Sequence, residues 1–365
     1  MTSKELILAA LRLEETSRPP WLPYVGVHGA KLLGMTATEY LMSAQHICQG
    51  LQKAIDVYRP DAIPVAFDLQ LEAEALGCRL LFADDNPPAV VSHILCDGMR
   101  INQLKVPSKN DGRIPVVLET TRTLRNNNPD IALYGLVTGP FTLALHLLGT
   151  ELFTRLYEDA PYVTALMDFC SDVALAMSEY YIEAGCDVIA LVDPMTSQID
   201  PLSFDNFVRE SMTKIFARIR EQGILTSFFV CGNAEHNLEL MCRCLPHNIS
   251  VDENIPLSLI KNMALASGIS FGGNLRLTST LLLGSPRDCA FDALDCLDTG
   301  GTKGFVLAPG CDLPMDTPIE NLREVCRVVH DDYYRETLRY LPRETDTIPF
   351  MDISQRYSPN KVLLN

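Results

Sequence analysis

Residues 226–233 read TSFFVCGN, an apolar run that ends in a thiol, a glycine and an amide. Ser227 to Val230 suit a strand buried on both faces, and such strands belong to a parallel sheet covered by helices. The same form recurs in AIPVAFD (62–68), ALYGLVTGP (132–140), DVIALVDP (187–194), ISVDE (249–253), ISFGGN (269–274) and GFVLAPGC (304–311), with WLPYVGV (21–27) as a further candidate. Helical patterns separate these runs at Ala160 to Ala184, Ser203 to Glu221, Glu235 to Cys244, Leu257 to Ala266 and Thr317 to Val329. Seven or eight strands, each followed by a helix, predict an α/β fold, the (β/α)8 TIM barrel.

Polar residues sit at the C-terminal ends of these runs, and in such a barrel those ends converge on the one face where catalysis occurs. Asp68, Asp193, Cys231, Asn233, Asp252, Asn274 and Cys311 are therefore expected around a single cavity. The chain is read as one domain, 1–365. Residues 1–20 are expected to form an N-terminal helix: Thr2 and Glu5 make a capping box, Leu6, Ile7, Ala10, Leu11 and Leu13 follow at helical spacing, and Pro19-Pro20 ends it. That start is unlike a signal peptide. Residues 79–131 have weaker periodicity and read as an insertion over the mouth, and the tail after Leu341 is polar and contains proline.

The 365 residues carry a formal charge of −16, which disfavours nucleic acid and anionic membranes as partners. No apolar run reaches the ~18 residues of a membrane span. Twelve cysteines are scattered without a CxxC pair, an arrangement that suits free thiols and a cytoplasmic location. No dinucleotide fingerprint, phosphate-cradling GK[ST] loop, GxSxG elbow or HExxH occurs, so the chemistry falls to carboxylates, thiols, amides and a few histidines.

Each candidate has two readings. Cys231 and Cys311 are soft ligands suited to zinc but would need a third partner, and they are otherwise small residues at tight turns. Asp68 and Asp193 lie where a fold has no need of an acid, although Asp193-Pro194 also serves as turn chemistry. Glu72 begins a helix or loop after Asp68. His28 and His146 lie near the predicted mouth, where a group titrating near neutrality can move a proton, and either can equally be a satisfied core histidine.

Taken together, SKELILAALRLEETSRPP, FDLQLEAEALG, GPFTLALHLLG, AGCDVIALVDPMTSQIDPLSF, FFVCGN, SVDENIPL, GGN and LAPGCDLPMDTPIEN resemble the uroporphyrinogen decarboxylase superfamily, in its corrinoid-dependent methyltransferase branch. The likeness implies a uroporphyrinogen decarboxylase-like barrel with its pocket at the strand C-termini. Asp68 matches the decarboxylase aspartate, His146 stands for its tyrosine and Cys311 for its late histidine. The arginine-bearing stretch that holds porphyrinogen carboxylates is replaced by LPYVGVHGAKLLG, which has no arginine. Relatives that methylate coenzyme M carry His-x-Cys and a later Cys on zinc. Cys231 and Cys311 match both thiols, whereas the histidine position is Phe229.

These departures favour an O-demethylase-like methyltransferase, which passes methyl from a small, aromatic or other methyl ether to a corrinoid (cobalamin) carried on a partner protein. His28, His146, Asp68 and Asp193 would then be catalytic, Asn233, Asn274 and Glu72 would bind substrate, and zinc would be an optional cofactor on Cys231 and Cys311. The alternatives are methyl transfer from a methylcobamide to a thiol or to folate, and decarboxylation of uroporphyrinogen. The expected partners are the corrinoid protein, a small methylated substrate and a second copy in a homodimer.

Overall fold

A computed structural model describes residues 1–343; most of the polar tail read after Leu341 lies outside the described residues. Seven parallel strands run in chain order: β1 Ala62–Pro64, β2 Ala132–Thr138, β3 Val188–Val192, β4 Leu225–Val230, β5 Asn248–Val251, β6 Ser270–Leu275 and β7 Phe305–Pro309. Every residue of these strands is buried, as their uninterrupted apolar runs predict.

The ring closes through residues 20–22. The Leu307 N–H donates to Pro20 O at 2.9 Å and the Leu22 N–H donates to Leu307 O at 2.9 Å. On the other side the Asp61 N–H donates to Trp21 O at 2.8 Å. Only Trp21 pairs as a strand residue here. Pro19, Pro20 and Pro23 flank it, and proline has no N–H to extend a ladder. The Asp61 carboxylate fixes this short closing segment by accepting the Trp21 N–H (2.9 Å) and both terminal nitrogens of Arg18 (2.6 and 2.9 Å).

The outer layer starts with α2 Ala44–Tyr58 after the closing segment and α3 Ile114–Asn127 after β1. β2 leads into α4 Pro140–Leu148 and then α5 Ala160–Ala184. Beyond β3 to β7 come α6 Glu210–Glu221, α7 Leu238–Arg243, α8 Leu257–Ala266, α9 Pro286–Gly300 and α10 Ile319–His330. α3 lies inside the 79–131 stretch, and its buried Ile114, Val117, Leu118 and Leu124 make it a wall helix. The part of that stretch before α3 holds a short antiparallel ribbon that pairs Leu80–Leu81 with Ala89–Val90.

α1, Ser3–Leu11, begins at the predicted capping box and buries Ile7, Ala10 and Leu11 among the inward-facing residues of the strands. It therefore plugs the N-terminal end of the barrel and leaves the C-terminal end for chemistry. No helix among the described residues is long and apolar enough to cross a membrane.

Candidate active site at the C-terminal mouth of the barrel

Strand alternation builds the site in layers. Phe229 points into the barrel, and Cys231, two residues on, packs against the same inner cluster one level higher. Beneath the thiols lies an aromatic floor in which Tyr24 stacks on Phe229 at 4.7 Å between centroids. Phe67 meets both rings edge-on, at 5.8 and 6.2 Å. None of the three rings is more than 5% exposed, so the floor is dry.

Above it, Cys231 from the end of β4 and Cys311 from the end of β7 meet with their sulfurs 2.8 Å apart. A disulfide would bring them to ~2.05 Å, and both are free thiols. The Cys231 S–H donates to Cys311, which lowers the Cys311 thiol below its usual range and, with burial, raises Cys231 well above it. The pair therefore holds one proton readily and stores the second charge poorly.

Acids surround the thiols. Asp252 accepts the Gly232 N–H and is gripped by Asn254, whose backbone N–H (3.0 Å) and side-chain amide (2.9 Å) both donate to it. Glu253 accepts the Leu277 N–H at 2.9 Å. Its other oxygen lies where a β-carbon on residue 310 would come within 2.1 Å, so Gly310 makes room for a carboxylate beside Cys311. Asp312 accepts the Gly26 N–H at 2.8 Å, and burial, reinforced by Cys311, raises its carboxyl well above the usual range.

On the opposite wall, Asp68 accepts Arg113 Nη1 at 2.6 Å, and Arg113 Nε donates to Glu74 at 2.7 Å. Arg113 is 5% exposed, and its Nη2 is buried without a partner among the described residues. Sequence reading missed Arg113, because it follows a polar stretch 45 residues from the acid it binds. Glu72 accepts the Thr138 N–H (3.1 Å) and hydroxyl (2.6 Å), and burial pushes its carboxyl up to about 7.

The remaining expected residues have other partners. Asp193 caps α4 across the barrel wall by accepting the Phe141 N–H (3.1 Å), the Thr142 N–H (2.7 Å) and the Thr142 hydroxyl (2.6 Å). Burial raises its carboxyl to about 6. His28 is fully buried, with Nδ1 at 3.0 Å from Met315 O and Nε2 at 2.7 Å from the Tyr58 hydroxyl. Burial lowers it to about 4, so a neutral ring ties α2 to the loop that follows Cys311. Asn274 donates to Asp252 O (3.3 Å) and Ile255 O (2.7 Å), bracing the loop after β5. Asn233 is exposed, its side-chain oxygen 3.3 Å from the Glu235 N–H. His146 lies on α4 with Nδ1 buried and unpartnered among the described residues, and burial followed by the neighbouring His93 lowers it to about 4.

A zinc ion on Cys231 and Cys311 would need further ligands. Phe229, where the resemblance puts a metal-binding histidine, is committed to the stack on Tyr24. No group of three or more histidine, cysteine, aspartate or glutamate side chains among the described residues is arranged to hold a metal. The donor set does not fit a zinc centre of that kind.

The sequence profile of the family described as Uroporphyrinogen decarboxylase (URO-D) matches residues 2–331. A methylcobamide:CoM methyltransferase, MtbA of Methanosarcina acetivorans, is 29% identical over 331 residues, covering 89% of this chain and 96% of that protein. A uroporphyrinogen decarboxylase of Anaeromyxobacter dehalogenans is 28% identical, covering 88% of this chain and 97% of that one. Among solved structures, a methyltransferase from Methanosarcina mazei superposes with a TM-score of 0.84 at 25% identity, covering 93% of this chain and 99% of that chain.

Proposed function

The chain belongs to the uroporphyrinogen decarboxylase family, and from that premise we propose that it transfers a methyl group from a corrinoid, carried by a partner protein, to a small thiol of the coenzyme M kind. The observation that carries this reading is the pair of thiols held 2.8 Å apart over a dry aromatic floor at the barrel mouth. Its relatives add support, since MtbA and MtaA of Methanosarcina are named methylcobamide:CoM methyltransferases.

When bound, the corrinoid supplies an electrophilic methyl on cobalt and accepts the electron pair of the bond that breaks. The protein must deliver the acceptor as thiolate and keep water away. An incoming thiol at the mouth meets Cys311, which Cys231 holds toward its thiolate form; the acceptor's proton passes to that sulfur as its own lone pair attacks the methyl carbon. Tyr24, Phe67 and Phe229 exclude water from below. Asp68 and Arg113 form the facing wall, where Arg113 Nη2 is buried without a partner among the described residues.

A second reading has one specific observation in its favour. Phe229 replaces a metal-binding histidine, and that suits demethylation of a methyl ether onto cobalt(I), the direction favoured from the sequence. Absorbance spectroscopy separates the two. Methylcobalamin with 2-mercaptoethanesulfonate and the protein is expected to lose its methyl-cobalt spectrum at an enzyme-dependent rate. If cob(I)alamin with methoxybenzenes turns over and the thiol assay stays silent, the ether route replaces the thiol route.

A further inference from the structure

A cavity of about 400 Å³ opens at the N-terminal end of the barrel, opposite the thiols. Its lining includes Arg12 just beyond α1, Arg220 in the last turn of α6, and His247 immediately before β5. The chain has 46 acidic and 30 basic residues, so an arginine here has abundant carboxylates to pair with. Neither Arg12 nor Arg220 forms an ion pair among the described residues. Among the described residues Arg220 donates to a single carbonyl, that of Leu245.

His247 is oriented for the same chemistry. The Thr226 backbone N–H donates to its Nδ1 at 3.1 Å. A backbone N–H can only donate, so the proton of the neutral ring lies on Nε2, which has no partner among the described residues. Burial, followed by the charges of Arg220 and Arg12, lowers His247 to about 4, which keeps the ring neutral and Nε2 a donor at pH 7.

Two helices end at this cavity, and the residue after each C-cap, Leu13 (φ 62°) and Leu245 (φ 60°), turns the chain in the left-handed conformation usual at that place. Leu11, Leu13, Leu245 and Ile269 give the cavity one apolar wall beside its three donors.

We propose that this cavity binds a small phosphate-bearing ligand, whose oxyanion is held between the Arg12 and Arg220 guanidinium groups and the His247 Nε2–H. Two unpaired guanidinium forks and a fixed N–H match an anion with several acceptor oxygens better than a single carboxylate. The apolar wall takes the rest of a phosphate monoester. The catalytic face of a barrel is the other one, so the ligand acts apart from methyl transfer.

Inorganic phosphate titrated into the full-length protein by calorimetry tests this, with sodium chloride at matched ionic strength as the control. One saturable site per chain is expected. Arg12→Gln, at an exposed position that spares the fold, should weaken phosphate at least about tenfold, the scale of one lost charge-assisted contact, and leave methyl transfer unchanged. His247→Gln should weaken it in the same direction. Absence of saturable binding, or equal affinity in both variants, would overturn the proposal and leave the arginines as partners of the helix C-termini. Acetate binding as tightly as phosphate would overturn the choice of ligand.

Discussion

At the scale of single residues, chemistry at the mouth depends on which groups are left unsatisfied. Asp193 looked reactive in the sequence because it ends a strand, yet three hydrogen bonds to α4 occupy its carboxylate. Glu72 is buried with Thr138 as its partner and titrates near 7 instead of 4.5. Its folded value lies above its unfolded one, so its contribution favours the fold below pH 4.5 and is lost as pH rises towards 7. That loss is on the order of 3 kcal/mol. Glu72→Gln should therefore remove a decline in stability between pH 4.5 and 7.5, read from urea unfolding at both values. An identical decline in the variant would show that burial does not raise the Glu72 carboxyl.

At the scale of elements, α1 does more than extend the chain. It fills the end of the barrel where the strands begin, and Ile7 is completely buried there. Ile7→Ala should cost about 2–4 kcal/mol, the usual range for emptying a core site, measured by denaturant unfolding. A cost below about 0.5 kcal/mol would place the helix outside the core. The strands were legible because continuous apolar runs ending in Asp, Asn or Cys report both burial and direction. α3 was not: Thr120, Thr121, Arg122 and Arg125 dilute its apolar stripe, which became visible only against α2 and α5. The closing segment was half legible, since its prolines hide a strand that pairs at one residue. Arg113 was illegible because an ion pair across 45 residues leaves no local pattern.

At the scale of the whole molecule, the two ends of the barrel have different electrostatics. The mouth gathers Asp68, Asp252, Glu253 and Asp312 around two thiols with Arg113 as its buried cation. The other end collects Arg12 and Arg220, which form no ion pair among the described residues. The thiols come from strands three places apart in the sheet and meet because the sheet curls around the mouth, and methyl transfer to a thiol depends on their pairing. Methyl-cobalt consumption in the presence of a small thiol, followed by absorbance for the wild type, Cys231→Ser and Cys311→Ser, tests it most directly once thermal unfolding has shown each variant to be folded. Cys311→Ser is expected to fall at least about a hundredfold, the usual weight of a proton-transfer group, with Cys231→Ser falling less and shifting its pH dependence upward. Full activity in both variants would contradict it.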